Sequence, residues 1–214
     1  ATGMAWVAHG SDLGGSLRNP ASFCGIVGMR PSPGRVATSP GSLIDDLLSV
    51  EGPMARTVED VALLFDAMTG EHPLDPNSLP RTGASFLAAA RTPTALRKVA
   101  FSADLGITPV DPEVAEIGRR AAHRFADIGV SVEEAHPDLS DAHSVFQTLR
   151  ARNFAAGHMG RLKKHRDLLK PEVIWNIEKG LELSLPDILE AEAKRVEMVK
   201  RTVAFFGDYD LLMT

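Results

Sequence analysis

The sequence has 214 residues, of which 44% are hydrophobic and 24% are charged, and its formal net charge at pH 7 is −5. This composition is typical of a soluble globular protein, and the acidic balance argues against the basic surface with which proteins bind nucleic acid. No apolar run approaches the roughly 18 residues of a membrane-spanning helix, so neither nucleic acid nor a membrane is expected as a partner.

Cys24 is the only cysteine. A single cysteine excludes an intrachain disulfide and is typical of proteins from reducing compartments, which favours the cytoplasm. The sequence opens at Ala1-Thr2-Gly3 without a signal-peptide pattern and closes on the apolar run Leu211-Leu212-Met213. We therefore expect both ends to be cut points inside a larger protein.

Residues 1–42 are dense in Gly, Ser and Pro, which indicates turns and loops. Hydrophobic residues are interspersed there, namely Trp6, Val7, Phe23, Ile26, Val27 and Met29. A low-complexity linker would lack them, so ordered and buried loop structure is predicted. Cys24 is expected to be a buried small hydrophobe, and Trp6 and Trp175 are expected to be packing residues.

The middle of the chain carries helix and strand signals in alternation. A helix is predicted from Thr57, with Asp60 completing its cap, to a stop at Gly70. The proline-rich residues 71–97 are expected to form a surface excursion, and 98–102 a strand.

A strand-helix-strand unit follows. Asp111-Pro112-Glu113 is typical of a helix start, and Gly129 is predicted to end that helix before a strand over 130–133. A strand, a helix and a second strand in this order predict two parallel strands joined by a right-handed crossover, hence an α/β fold.

The remainder is predicted to be largely helical. Residues 139–170 should form one or two helices, and Ser184 with Asp187 should open another that stops at Gly207. A last strand near 209–213 is expected to return to the sheet.

A glycine-rich run carries the clearest chemical signal. It reads Gly10-Ser11-Asp12-Leu13-Gly14-Gly15-Ser16-Leu17-Arg18. Acyl transfer requires a nucleophile beside backbone N–H groups that stabilise an oxyanion, and paired glycines let the backbone approach a substrate carbonyl. Gly14, Gly15 and Ser16 supply these ingredients.

Local composition alone leaves other interpretations open. The same cluster is common in plain turns. A phosphate-binding loop lacks support because no Gly-Lys-Ser or Gly-Lys-Thr follows. A nucleophile elbow of the α/β-hydrolases requires Gly-x-Ser-x-Gly, and Arg18 occupies the place of the second glycine.

Several blocks in order along the first third resemble the core of the amidase signature family. They are Asp12-Leu13-Gly14-Gly15-Ser16-Leu17-Arg18-Asn19-Pro20-Ala21, Phe23-Cys24-Gly25, Gly28-Met29-Arg30-Pro31, Gly34-Arg35-Val36 and Gly52-Pro53-Met54-Ala55-Arg56-Thr57-Val58-Glu59-Asp60. Chance matches to one glycine motif are common, but several ordered blocks over about 65 residues are not.

The resemblance implies an incomplete α/β/α sandwich with a mixed, mainly parallel sheet covered by helices on both faces. Residues 1–214 would form a single domain truncated at both ends. Within it, residues 1–65 would be the signature core and residues 66–214 an α/β remainder with a helical segment.

The resemblance also implies the roles of individual residues. Ser16 would be the catalytic nucleophile, and Asp12 and Arg18 would support its loop. The oxyanion hole would be formed by the backbone N–H groups of Leu13, Gly14, Gly15 and Ser16.

Members of the family use a Ser-Ser-Lys triad, in which a second serine with a cis peptide bond relays a proton between the nucleophile and a lysine. Both partners would precede Thr2-Gly3-Met4, whereas the first lysine of this sequence is Lys98. An alcohol is a weak nucleophile near neutral pH without an adjacent base. The 214 residues alone are therefore expected to be inactive.

Other polar residues are weaker candidates. Ser11 lacks the glycine-rich setting of the bridging serine and is expected to be structural, and Cys24 has no histidine partner in sequence. The seven histidines show neither His-x-His nor His-Glu-x-x-His spacing, so no metal site is expected. His9 is interpreted as scaffold, and no organic cofactor is implied.

The resemblance implies hydrolysis of a carboxylic amide through an acyl-enzyme on Ser16 in the full-length protein, with a small-molecule amide as substrate and homo-oligomer formation left open. One alternative is a glutamine-hydrolysing amidotransferase A subunit for transfer-RNA transamidation. Its Ser-Asn-Leu-Ala-Arg-Tyr-Asp-Gly-like block has no counterpart around residues 150–154, which favours a stand-alone amidase.

A non-catalytic α/β scaffold or binding module is the alternative of another class, and the presence of the second serine and the lysine in the full gene would exclude it.

Overall fold

The structure, a computed structural model, describes residues 2–38 and 46–214. The chain divides into two compact units, Ala1–Thr94 and Ala95–Thr214. Each unit contains helices and a three-stranded sheet, so the predicted α/β class is confirmed. The division into a signature core over 1–65 and a remainder over 66–214, within a single domain, stays a prediction.

The first unit is built around the central strand of an antiparallel sheet. Its elements are β1 (Val7–Asp12), α1 (Arg18–Cys24), β2 (Val27–Gly28), β3 (Val50–Ala55), α2 (Val58–Met68) and α3 (Phe86–Arg91). Strand β3 lies between β1 and β2 and pairs antiparallel with both. The mainly parallel pairing expected for the whole sheet is therefore absent from the described part of this unit.

The apolar side chains of the opening segment are less buried than expected. Trp6 is 85% exposed and Phe23 is 92% exposed, and Cys24 is exposed too. The predicted burial of these three side chains is wrong, because the elements that carry them leave them at the surface. Trp6 precedes a strand at one end of its sheet, and Ala21 is the one buried residue of α1. Residues 39–42 of the predicted ordered loop lie outside the described residues.

The second unit contains the predicted parallel sheet. Its elements are β4 (Lys98–Phe101), α4 (Pro112–His123), β5 (Ser131–Glu134), α5 (Ala142–His165), α6 (Pro171–Glu182), α7 (Leu185–Phe205) and β6 (Leu211–Met213). Strand β4 lies between β5 and β6 and runs parallel to both. The strand-helix-strand unit and the returning last strand are thus confirmed. Within the described residues, no helix is long and apolar enough to cross a membrane.

Caps that involve neighbouring residues were predictable. Thr57 accepts a hydrogen bond from the N–H of Asp60, and Asp111 accepts one from Glu113. Ser184 and Asp187 form a reciprocal capping box at the start of α7. These three predicted helix starts are confirmed.

Two boundaries differ from the prediction. Helix α4 ends at His123, and a 3-10 turn over Ala126–Ile128 precedes Gly129, whose φ of +84° turns the chain towards β5. Helix α3 lies inside the predicted surface excursion. Its first N–H groups, those of Phe86 and Leu87, donate to the carboxylate of Asp66, so a residue distant in sequence stabilises its start.

Helices α5 and α6 pack closely at one glycine. A Cβ atom at Gly180 would overlap the carbonyl oxygen of Ala151 and lie 2.7 Å from the Cβ of Ala155. A Cβ atom added at Gly160, which is also helical, would have no neighbouring atom within 4 Å. The two glycines therefore differ in packing while sharing a helical backbone.

We predict opposite effects of alanine at these two positions. Gly160→Ala should stabilise the protein by about 0.5–1 kcal/mol because alanine loses less backbone entropy in a helix. Gly180→Ala should instead destabilise it by about 1–3 kcal/mol because the added methyl overpacks the interface between α5 and α6. Chemical denaturation of both variants measures the difference, and stabilisation by both substitutions would show that the helices separate without cost.

Candidate functional site

The glycine-rich loop is organised by one buried carboxylate. Asp12, the last residue of β1, is 0% exposed. Its Oδ1 accepts the N–H of Gly15 at 2.7 Å, and its Oδ2 accepts the N–H of Leu17 at 3.2 Å. The carboxylate thus holds the backbone on both sides of Ser16.

Two arginines complete the hydrogen bonding of Asp12. Arg18 forms a bidentate pair, with Nε 2.9 Å from Oδ2 and Nη2 3.0 Å from Oδ1. Arg30 Nη1 lies 3.3 Å from Oδ1 and also donates to the backbone carbonyl of Asp12, while its Nη2 donates to the carbonyl of Leu48 at 2.8 Å. Fork-shaped pairs of this kind fix geometry as well as charge.

These partners determine the ionisation of Asp12. Burial raises the pKa of the Asp12 carboxyl. This effect is outweighed by hydrogen bonds from Arg18 and from the N–H groups of Gly15 and Leu17, together with the charge of Arg18. The pKa of Asp12 therefore lies well below its usual range. The same hydrogen bond raises the pKa of Arg18. Asp12 is therefore a charged structural anchor and not a proton donor or acceptor near neutral pH.

The other side of the loop is fixed by Leu17, which is 0% exposed. Its side chain packs against strand positions occupied by glycine. A Cβ atom would lie 3.1 Å from Leu17 Cδ2 at Gly10 and 2.6 Å from Leu17 Cδ1 at Gly52. Gly10 and Gly52 are directly paired across β1 and β3. The glycines therefore create the space into which the loop packs.

Ser16 lies in the turn two residues before α1, with buried neighbours on both sides and its own side chain exposed. Gly15 has a φ of +112°, a conformation that L side chains rarely adopt, and its carbonyl accepts the N–H of Asn19 at 2.7 Å. Ser16 therefore lies at a tight turn immediately before a helix. The turn presents its hydroxyl while its backbone is held in place.

The four N–H groups expected to form the oxyanion hole are in different situations. That of Gly15 donates to Asp12, so it supports the loop instead of facing a substrate in this structure. Among the described residues, no hydrogen bond is seen from the N–H groups of Leu13, Gly14 or Ser16. These three retain a free donor, as an oxyanion hole requires.

The described residues provide no partner that would activate Ser16. Its Oγ forms no hydrogen bond within residues 2–38 and 46–214. The imidazole Nε2 of His9 lies 2.7 Å from the carboxylate of Glu51 on the neighbouring strand, and Ser11 is an exposed β1 residue paired in register with Glu51. No group of three or more His, Cys, Asp or Glu side chains in the same ranges could hold a metal ion.

Arg30 is the functional-site residue that sequence reasoning did not assign. It belongs to the quoted block Gly28-Met29-Arg30-Pro31, but nothing in its immediate surroundings indicates a role. Only the fold places it beside Asp12, 18 residues earlier in the sequence. A lone basic residue within an apolar run is the signal that could have suggested a buried acidic partner.

Comparison with known proteins agrees with this geometry. A family model described as Amidase matches residues 1–214. The acylamidase of Rhodococcus erythropolis is 30% identical to the chain over 219 residues, covering 100% of this chain and 45% of that protein. The A subunit of the glutamyl-tRNA(Gln) amidotransferase of Moorella thermoacetica is 38% identical over 134 residues, covering 63% of this chain and 28% of that protein.

A solved structure of an amidase signature enzyme is also similar to this chain in its fold. The crystal structure of a bacterial aryl acylamidase of the amidase signature family superposes with a TM-score of 0.87 at 26% sequence identity. The match covers 98% of this chain and 45% of that one. The chain therefore spans a little under half the length of these amidases.

We predict that Asp12→Asn destabilises the protein by about 2–4 kcal/mol near neutral pH, because two arginines would then face a neutral amide at a buried position. The folded-state pKa of Asp12 lies below the unfolded value of about 3.9, so the unfolded state binds the proton more tightly. The stabilisation should be complete above about pH 4 and should be lost as the pH falls towards the lower folded pKa.

Urea unfolding of the unsubstituted chain and of Asp12→Asn, from pH 2 to pH 8, measures this pH dependence. Asp127→Asn, at an exposed position, is the matched control. A difference in unfolding free energy between the unsubstituted chain and Asp12→Asn that stays constant down to pH 2 would contradict the assignment of Asp12 as the anchoring charge.

Proposed function

The chain belongs to the amidase family, and we propose that the whole protein hydrolyses a carboxylic amide with Ser16 as its nucleophile. One observation carries this proposal most directly. Ser16 is an exposed hydroxyl between two buried residues, and its backbone is fixed by Asp12. A nucleophile on a rigid turn is placed for attack without a large entropic cost.

The proposed chemistry is acyl transfer in two steps. The Oγ of Ser16 attacks the amide carbonyl carbon while its proton leaves to a base, and the carbonyl oxygen becomes an oxyanion. The C–N bond then breaks, the nitrogen leaves with a proton as an amine, and the acyl group remains as an ester on Ser16. Water hydrolyses the ester, which releases a carboxylic acid and restores the hydroxyl.

We assign stabilisation of the oxyanion to the N–H groups of Leu13, Gly14 and Ser16. Removal of one such donor in other acyl-transfer enzymes typically lowers the rate by about 10²–10³. Gly15 contributes through its conformation, because the positive φ and the hydrogen bond to Asp12 orient the peptide groups next to it. Asp12 and Arg18 act as positioning residues.

Proton transfer from Ser16 requires further groups. In this family the transfer is performed by a second serine and a lysine, and we assign neither part to one of the 214 residues. Lys98 lies at the start of β4, where its ammonium group pairs with Glu133 at 2.9 Å. His9 and Ser11 keep the structural roles expected of them.

An amidotransferase A subunit stays the second candidate, because the relative from Moorella thermoacetica is 38% identical over its aligned part. It would use the same acyl transfer but pass ammonia onward instead of only releasing it. We favour a stand-alone amidase because the Ser-Asn-Leu-Ala-Arg-Tyr-Asp-Gly-like block of those subunits has no counterpart around residues 150–154. A small-molecule amide as substrate and a reducing compartment complete the proposal.

We predict that Ser16→Ala lowers amide turnover by the full-length protein by several orders of magnitude, because the acyl group then has no acceptor. Ser22→Ala, at an exposed position of α1, is the matched control and should retain turnover. Release of the amine from an anilide substrate measures both. Full activity in Ser16→Ala would exclude this serine as the nucleophile.

A second prediction concerns the 214-residue chain on its own. It should fold yet show at most residual turnover, because loss of the proton-transfer partners of a triad typically removes several orders of magnitude in rate. Circular dichroism and the anilide assay, run beside full-length protein, separate folding from activity. Turnover equal to that of the full-length protein would show that the base lies among these residues.

A further inference from the structure

The side-chain amide of Asn19 packs directly on the turn that carries Ser16. A Cβ atom added at Gly15 would lie 2.8 Å from Nδ2, 3.0 Å from Cγ and 3.0 Å from Oδ1 of Asn19. Because all three atoms of the amide are at nearly the same distance from that point, the amide lies face-on against the α-carbon of Gly15. Any side chain at position 15 would displace it, so the glycine makes room for this amide.

The backbone places Asn19 and Ser16 on the same side of this turn. The N–H of Asn19 donates to the carbonyl of Gly15 at 2.7 Å, which is the hydrogen bond of one α-helical turn. Leu17, between the two residues, has helical dihedral angles, with φ of −93° and ψ of −44°. Side chains three residues apart in a helical turn are neighbours, with Cβ atoms about 5–6 Å apart. Helical side chains also lean towards the preceding turn, so the amide of Asn19 leans towards Ser16.

The amide of Asn19 is available to a ligand. Asn19 is exposed, and its side chain forms no hydrogen bond within residues 2–38 and 46–214. A side-chain amide carries two N–H donors and one acceptor oxygen. The neighbouring Oγ of Ser16 is exposed and has no partner in the same ranges. The turn therefore presents an unpaired donor group beside the candidate nucleophile.

This donor lies next to the one that the backbone cannot offer. The N–H of Gly15 donates to the buried carboxylate of Asp12 at 2.7 Å, so it does not face a substrate. The amide of Asn19 covers the α-carbon of that same Gly15. A side-chain amide is one of the groups that stabilise the oxyanion in other acyl-transfer enzymes. The position and the chemistry of Asn19 therefore agree with a donor that completes the set formed by the free backbone N–H groups.

We propose that Nδ2 of Asn19 donates a hydrogen bond to the oxyanion formed during acylation of Ser16. The inference rests on the proposed function and adds a catalytic residue to it. As the Oγ of Ser16 bonds to the carbonyl carbon, an electron pair of the C=O bond moves to the oxygen. The hydrogen bond from Nδ2 strengthens with that charge, and its proton stays on the nitrogen. The C=O bond forms again when the C–N bond breaks.

The test measures kcat and KM of full-length protein and its variants with an anilide substrate. Asn19→Leu removes the donor at similar volume and should lower kcat by about 10²–10³, with KM within about threefold, because the donor acts on charge that develops in the transition state. Asn19→Asp keeps the shape but places a carboxylate beside that charge, so kcat should fall at least as far. Gln147→Leu, which removes an exposed amide from α5, is the matched control and should retain both values.

A second readout separates the oxyanion contact from a structural role. An aryl trifluoromethyl ketone forms a tetrahedral adduct with a serine Oγ and so carries an oxyanion. Its affinity should fall in Asn19→Leu by about the same factor as kcat/KM. Urea unfolding checks that each variant is folded, and Asn19→Asp, which has the same shape as the original residue, keeps the test valid if Asn19→Leu does not fold.

Three results would overturn the assignment of Asn19. They are unchanged kcat in a folded Asn19→Leu variant, a raised KM at constant kcat, and an affinity for the ketone that does not follow kcat/KM. Failure of the proposed function is distinguishable from these, because Ser16→Ala would then retain amide turnover. If Ser16→Ala is inactive while Asn19→Leu is fully active, only the role of Asn19 is refuted.

Discussion

The charge on Asp12 is the constraint on which the candidate active site depends. Burying a carboxylate away from solvent is costly unless the charge is paired and hydrogen-bonded. Asp12 accepts hydrogen bonds from two backbone N–H groups and from two arginine side chains. The same contacts fix the residues on either side of Ser16. Stability and site geometry therefore have one common origin, and a change that neutralises Asp12 should disturb both.

Glycine serves two different purposes in this unit. At Gly15 a positive φ lets the N–H reach Asp12. At Gly10 and Gly52 the absence of a side chain makes room for Leu17. Gly10 and Gly52 thus shape a strand surface that receives the side chain of Leu17. The exposed Ser16 thus lies between Asp12, which holds the loop by hydrogen bonds, and Leu17, which holds it by apolar packing.

The sequence predicted the features that depend on neighbouring residues. Helix starts at Thr57, Asp111 and Ser184 were found because each capping side chain and the backbone N–H group that donates to it lie within three residues of each other. The parallel sheet followed from periodicity and from the connection rule for parallel strands. The choice of Ser16 as the candidate nucleophile followed from an ordered set of motif blocks.

Features that depend on distant contacts could not be predicted in the same way. Asp66 binds the start of α3 in addition to the local cap Ser85, the position of Arg30 depends on the fold of the whole loop, and the exposure of Trp6 depends on which strand lies at the end of the sheet. The hydrogen bond from the Gly15 N–H to Asp12 likewise depends on the three-dimensional arrangement of the loop and cannot be predicted from the spacing of the motif. It reduces the candidate oxyanion donors from four to three.

Trapping of the acyl-enzyme tests the central claim most directly. Full-length protein, mixed with an activated aryl ester and quenched in acid within milliseconds to seconds, should gain the mass of one acyl group, and peptide mapping should place that group on Ser16. The adduct should be absent from Ser16→Ala. An acyl group found on Cys24 or on any other residue, or turnover without an adduct, would contradict the assignment of Ser16 as the nucleophile.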